Sequence, residues 1–478
     1  MTADPSPRPS VVTRVADLVT VACGLLAAGL FVSGGFRDVI GGSPISITWL
    51  HVAFVAVAVT AVRHAAVPRP GLLRTIQDAG LWLRARPALA DATLAFWMTR
   101  PAVLLIGFLA VATFGFPDTV QELSVSREPA RALPARWDAQ WYAGIAAYGY
   151  EWQYRFDRQQ NLAFFPAYPI LIRGVGLATG AYRAGLPSDR QIARLTWCGL
   201  AISLVACFWA LWYFARLSRE ILTAERARDA VVLIAAYPFA IFFSAAYTES
   251  LFLLAALGAW HHLRREEPIK AAAWGLVAGL ARPNGCFLSI PLGLIALGLR
   301  DAGSSESRIQ RNPAGTIRAL AVAAMPGVGM LLFTAYLHHL TGVWFAWSRM
   351  HEAWGRVFGA EALTSFVDLL RSGNLLALAA DHPYDAINGL GLVFALAMAW
   401  PVGRRLGAAW AIFVLANVLA PLSAGGLLSL GRLTSTLFPL FLALAAVLPP
   451  RSAVAVSAGF GVLQGLLAAL FFTWRAVY

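Results

Sequence analysis

Long apolar runs, separated by short polar or arginine-bearing stretches, recur from one end of the chain to the other. A helix that crosses a bilayer needs about 20 mostly apolar residues. Thirteen runs approach that length, at 16–31, 47–62, 101–117, 192–214, 230–243, 251–260 with its flanks, 271–280, 285–299, 319–340, 387–402, 407–424, 433–448 and 453–474. None shows the alternating segments of an outer-membrane barrel. The pattern predicts an all-α polytopic membrane protein of about thirteen transmembrane helices. Two long stretches, 118–191 and 341–384, break the rhythm and are expected as outer loops. Within the first, 169–180 is apolar but carries Arg173, which reads as an interfacial helix rather than a span. Leu72, Leu73, Ile76, Leu81 and Leu83 read as an amphipathic stretch on the inner leaflet.

Composition sharpens this. Of 478 residues, 59% are hydrophobic and 13% charged, about half the charged fraction of a soluble domain. That excludes a disordered, collagenous or disulfide-stapled chain. The net charge of +13 rests almost wholly on arginine, since Lys270 is the single lysine. In a soluble protein such a balance would suggest nucleic acid; here it fits cytoplasmic loops and anionic membrane lipid, and no nucleic-acid partner is expected. The arginines of the short loops, Arg100 among those read as cytoplasmic, gather mostly on one side, which puts the N-terminus inside and the loops 118–191 and 341–384 outside. Arg8 and Arg14 precede the first run, but Asp17 lies within it, so an uncleaved first span is expected rather than a signal peptide. Cys23, Cys198, Cys207 and Cys286 sit in apolar runs without the spacing of a metal site. The expected domains are 1–100, a two-span extension with a cytoplasmic amphipathic segment, and 101–478, the main membrane domain.

The polar residues that resist this background carry the candidate chemistry. In "ARWDAQWYAGIAAYGY" (135–150), Trp137, Trp141, Ile145 and Tyr148 recur at helical spacing, with Asp138 at the start and Tyr142 one turn on. Asp138 suits a helix N-cap; it equally suits a carboxylate held at the membrane surface as a general base. "NLAFFPAYP" (161–169) reads as a bent, uncharged return of the chain, with Phe164 and Phe165 at its apex. "SAAYTES" (244–250) brings Tyr247 and an ionisable Glu249 close to the hydrocarbon, where such a residue needs a partner. "GLARPNGC" (279–286) interrupts a long apolar stretch at Arg282 and Asn284. Irregular backbone at that depth is tolerated where it lines a cavity or is buried in protein. Arg282 is therefore a candidate for holding a phosphate, or for a structural pair with Glu249. "SRMHEAWGR" (348–356) and "SLGRLTS" (429–435) add Arg349, His351, Glu352, Arg356 and Arg432 on the same side. Such a cluster suits an anionic ligand.

"RWDAQWYAGIAAYGY", "FFPAYP", "FFSAAYTESLF", "GLARPNG" and "LGRLTSTLFPLFLALA" follow one another in the order and spacing of the PIG-V (GPI mannosyltransferase 2) family, which they resemble over roughly residues 100–475. The two spans before Pro101 are not part of that pattern. The resemblance implies the GT-C fold of membrane glycosyltransferases, with a long first outer loop that is catalytic. It implies a polyprenyl-phosphate-linked sugar as donor and inversion in one displacement; the acceptor hydroxyl is not carried over from the family, and a glycolipid, glycan or protein could supply it. Mannose is the sugar the family favours. The family's acidic base in that loop falls on Asp138. The leaving phosphate calls for cations, and Arg282 and Arg432, then Arg158 and Arg349, are the candidates. Trp137, Trp141, Tyr142, Phe164, Phe165, Tyr247, Glu249, Asn284 and His351 are candidate substrate contacts. No ligand spacing indicates a metal or other cofactor, and the reaction class leaves a divalent cation open. An arginine-rich, lysine-poor chain fits a bacterial cytoplasmic membrane, with the site extracytoplasmic. Two other readings stand beside this one. Broken helices with midplane charges suit a transporter or flippase of lipid-linked sugars, and a non-catalytic scaffold of envelope assembly needs no site at all.

Overall fold

Proline, glycine and short polar motifs cut the apolar runs into helices at the places where the site is built. The computed structural model describes residues 36–40, 43–47, 49–66, 78, 80–118, 120, 132–186, 188–299, 313–356, 371 and 383–477, with isolated positions among 15–23. The chain divides into two compact units, Met1–Ala90 and Asp91–Tyr478.

In the first unit, β1 (Phe36–Ile40) and β2 (Ser43–Ile47) form an antiparallel hairpin with Phe36 opposite Ile47. This pair departs from the all-helical expectation. α1 (Trp49–Ala66) carries the second apolar run. Its Arg63 makes a two-nitrogen pair with Asp17, at 2.6 and 3.1 Å, with both side chains buried. Asp17 is thus tolerated inside an apolar run because it is matched by a guanidinium fork. Most of the first run and of the amphipathic stretch 72–83 lies outside the described residues.

The second unit is helical in every described element. Each of the runs from 101 onward falls on a helix, but several, such as α9 (Ser289–Ala296), are too short to cross a membrane alone. Six helices among the described residues are long and apolar enough, and a seventh span results if one bent pair is joined. The six are α2 (Pro87–Phe114), α5 (Ser188–Ile221), α10 (Pro313–Thr341), α12 (Pro383–Leu406), α13 (Ala408–Gly425) and α16 (Pro450–Phe472). The bent pair is α6 (Ala224–Ala236) and the 3₁₀ turn Pro238–Ser244, which meet at 75°. The segment 169–180, expected as an interfacial helix, falls on the helix α4 (Ala167–Thr179), ended by Gly180 at φ +68°. Its Arg173 donates to the carbonyls of Ala146 and Ala147, which close α3 (Ala139–Tyr148).

α7 (Glu249–Arg264) is buried along nearly its whole length and packs between α5 and α8 (Pro268–Ala281). Near its C-terminal end Trp260 lies 4.4 Å from Trp410 and 5.3 Å from Phe438 of α15 (Phe438–Val447), centroid to centroid. The bend before α7 leaves carbonyls without helical partners, and Arg100 takes them. It donates to Ala235 O at 2.6 Å, Ala240 O at 2.5 Å and Ser244 Oγ at 3.2 Å, and Gln464 adds bonds to the carbonyls of Ala235 and Tyr237. Arg100 was expected among the cytoplasmic loop charges. It lies instead midway along α2, 1% exposed, as a cap for a broken helix.

Candidate active site

Asp138 stands at the N-cap position of α3 yet makes no side-chain capping bond. Its carboxylate turns away from the helix to Arg432, whose Nη1 lies 2.7 Å from Oδ2. The turn that aims it is unusual. Trp137 holds a left-handed φ of 52°, a conformation that costs a bulky residue about 1–3 kcal/mol and persists only where the surroundings enforce it. Here they do. The Trp137 indole donates to Phe471 O at 3.3 Å and packs on Trp474, Arg136 donates to Phe472 O at 2.7 Å, and the Asp138 amide donates to the Tyr247 hydroxyl at 3.1 Å. Burial lowers Arg136 to about 9.

Arg432 belongs to α14 (Leu430–Thr434), which begins after Ser429, again left-handed at φ 60°. Its Nε bonds Glu249 Oε1, and the same oxygen receives Arg282 Nη1 at 2.6 Å. Glu249 is fully buried, and its second oxygen has no hydrogen-bond partner among the described residues. The chain Asp138–Arg432–Glu249–Arg282 therefore links α3, α14, the start of α7 and the break after α8. The Arg432 guanidinium also rests 4.5 Å from the Tyr247 ring centroid and 5.3 Å from that of Phe242. Two flat faces and two carboxylates fix one fork, which a lysine would not reproduce.

These residues border a cavity of about 490 Å³. Asp138, Tyr142, Phe164, Phe165, Arg282, Asn284, His351 and Arg432, all singled out from the sequence, line it. Asn284 donates to Asn417 Oδ1 at 2.8 Å. Burial pushes the Tyr142 phenol up to about 12. Other expected residues stand elsewhere. Glu249 and Tyr247 support Arg432 from beneath the surface. Trp141 stacks on Phe164 at 5.6 Å and meets Trp354 edge-on. Trp137 anchors α3 as described. Arg158 is exposed on the segment that leaves α3 after Gly149, at φ 85°. Arg349 is exposed and stacks on Phe156 in a separate shallow cleft with Tyr154, Arg155, Asp157 and Glu352. Neither lines the cavity.

Sequence reasoning left Thr248, Trp347 and Trp354 out of the site, yet they line it, as does Arg356 of the outer charged cluster. Arg356 donates to Leu428 O at 2.9 Å and pairs with no carboxylate among the described residues. Burial, with the nearby Arg432 charge, lowers it to about 10. The lining and its supports thus hold three guanidiniums, Arg282, Arg356 and Arg432, against two carboxylates, Asp138 and Glu249. His351 adds no charge, since burial and then Arg356 depress it to about 4. A signal for the missed residues exists: Trp347, His351 and Trp354 stand at i, i+4 and i+7, one helical face.

Residues 116–333 match the model of the mannosyltransferase (PIG-V) family. Over 163 residues the chain is 28% identical to GPI mannosyltransferase 2 of Drosophila pseudoobscura pseudoobscura, which covers 34% of this chain and 33% of that protein. The match thus spans about a third of the relative's length. Among solved structures, the oligosaccharyltransferase of Archaeoglobus fulgidus tethered with an acceptor peptide is similar at 14% identity and a TM-score of 0.39, over 78% of this chain and 55% of that one. A second structure of that enzyme, in complex with Zn and sulfate, is similar at 14% identity and a TM-score of 0.38, over 78% and 53%.

Proposed function

Taking the PIG-V family match as premise, we propose that this chain is an inverting membrane glycosyltransferase of GT-C type, a mannosyltransferase, that moves a sugar from a polyprenyl-phosphate-linked donor to an acceptor hydroxyl on the extracytoplasmic face. The observation that carries the reading is the single guanidinium of Arg432, bonded to Asp138 on the cavity wall and to buried Glu249 behind it. A base and an anion-binding cation then sit side by side on one cavity.

The donor phosphodiester enters against Arg282, Arg356 and Arg432, whose surplus of one positive charge over Asp138 and Glu249 complements a singly charged phosphate. Its lipid tail takes the apolar part of the lining, at Phe287, Met330, Phe345, Pro421 and Leu433. Phosphate oxygens compete for the Arg432 nitrogens and release Asp138 from its ion pair. Asp138 then accepts the proton of the acceptor hydroxyl as that oxygen bonds to the anomeric carbon. The bond from that carbon to the phosphate oxygen breaks on the opposite face, and the departing polyprenyl phosphate is held by guanidiniums already in place, which need no reorganisation. Glu249 keeps two of them oriented without entering the reaction.

The test uses the protein in lipid nanodiscs with polyprenyl-phosphate mannose as donor and octyl α-mannoside as acceptor. Asp138→Asn keeps shape and removes the base. Transfer should fall about 10²–10⁴-fold, with donor binding retained. Transfer at the wild-type rate would refute the assignment.

A further inference from the structure

The arginines account for the charged part of the cavity. A second set of lining residues, Trp347, His351 and Trp354, carries no charge and has no role in the steps above. They share one face of α11 (Ala346–Met350) and the 3₁₀ turn His351–Trp354 that continues it. Both indoles are fixed in place. Trp347 Nε1 donates to Thr334 Oγ1 at 2.8 Å, and its ring meets Phe165 edge-on at 5.4 Å. The Trp354 ring meets Trp141 and Phe164 edge-on, each at 5.5 Å.

His351 Nδ1 lies 2.7 Å from Trp347 O. A carbonyl only accepts, so Nδ1 carries the proton and Nε2 of the neutral ring presents a bare lone pair. No described residue donates to Nε2. Asn284 repeats the pattern: its amide nitrogen is used on Asn417, and its Oδ1 has no donor among the described residues. Two uncharged acceptors thus face a cavity bordered by aromatic rings. A phosphate would repel both. A hydrocarbon tail would leave both unpaired, at the desolvation cost of a buried acceptor. The ligand that fits supplies O–H donors from its edge and C–H groups from its faces.

We propose that the Trp347–His351–Trp354 face seats a pyranose ring, with His351 Nε2 and Asn284 Oδ1 accepting hydrogen bonds from its hydroxyls and so selecting the sugar. The assignment rests on the glycosyl-transfer reading and deepens it. Burial and the Arg356 charge keep the imidazole unprotonated above about pH 4, so it stays an acceptor through the neutral range.

The test compares two lipids on the full-length protein in nanodiscs: polyprenyl-phosphate mannose and polyprenyl phosphate, which lacks the sugar. The ratio of their affinities is read in wild type, His351→Leu, His351→Gln and Asn284→Ala; comparing ratios between variants cancels the lipids' difference in phosphate charge. His351→Leu and Asn284→Ala should each weaken the mannose lipid about tenfold relative to the sugarless one. His351→Gln, which keeps an acceptor, should recover part of the loss. Should His351→Leu not fold, His351→Lys, which turns the acceptor into a donor, should collapse the ratio in its place. An unchanged donor ratio with a tenfold higher KM for octyl α-mannoside would assign the ring to the acceptor substrate rather than the donor. If wild type transfers mannose but neither quantity moves in any variant, the sugar seat is wrong and glycosyl transfer stands. If wild type neither binds nor transfers mannose, both fall.

Discussion

Arg432 is the residue on which the site turns, because its nitrogens serve two carboxylates of different character. Asp138 is partly open to the cavity, with 16% of its side chain exposed, whereas Glu249 is fully buried. Arg432→Lys keeps the charge but not the fork. It should lower transfer about 10²–10³-fold, the range for losing one preorganised electrostatic contact, as read by kcat in the nanodisc assay. Glu249→Gln tests the other end of the chain. It strips Arg282 and Arg432 of a shared buried partner, and breaking such a pair costs about 3–5 kcal/mol. A lower thermal midpoint in detergent is expected. The double variant Glu249→Leu/Arg282→Met removes both charges and should regain most of that stability while transfer stays lost. His351 gives a pH signature of its own. Its folded pKa of about 4 lies below the ordinary 6.5, so the unfolded chain binds the proton more readily between those values and stability rises with pH there. Stability should be full above about pH 6.5 and fall as pH drops towards 4. His351→Gln should flatten that slope in thermal melts taken across the range.

At the scale of elements, the site is made where helices stop. The sequence marks these breaks well: "SAAYTES" ends one apolar run and opens another, "GLARPNG" cuts a third, and both supply charged residues to one network. Composition and run length were enough for the helical membrane class and for the position of nearly every helix. Not every run is a spanning helix on its own among the described residues, because an apolar run reports burial, and α7 is buried by protein along nearly its whole length. Other features left no periodic trace. Asn284 meets Asn417 across 133 residues and Arg432 meets Asp138 across 294. The left-handed turns at Trp137, Phe345 and Ser429 sit on residues that rarely adopt them. Arg100 looked like a loop cation because sequence shows charge, not the carbonyls waiting for it. One close approach fixes the break after α8. A Cβ on Gly279 would run into the Pro326 carbonyl of α10, and one on Gly329 into that of Leu276. Gly279→Val should therefore force α8 and α10 apart, cost about 1–3 kcal/mol as overpacking does, and displace Arg282 three residues on. A reduced melting temperature together with weakened binding of polyprenyl phosphate is the expected pair of results.

At the scale of the second unit, α7 sets a polarity. It starts at Glu249 in the arginine network and ends at Arg264, about 24 Å away at 1.5 Å per residue. At that far end lies a different set of charges: Arg264 and Arg265 near Glu220, Lys270 at 3.2 Å from Glu267, and His262 between Tyr213 and Glu267. The positive-inside rule would assign the basic residues at this end to the cytoplasm, and the proposed function accordingly expects the cavity on the opposite side. Two exposed positions report the two ends, Tyr154 at 88% and Ile269 at 85% exposure. In a background without Cys23, Cys198, Cys207 and Cys286, a cysteine replacing Tyr154 should react with a membrane-impermeant maleimide on intact cells. A cysteine replacing Ile269 should react only after the membrane is opened. The reverse pattern would put the Asp138 cavity on the cytoplasmic face. The donor would then have to arrive from the other leaflet, and a chain so oriented would not act on the extracytoplasmic side, however well its arginines are placed.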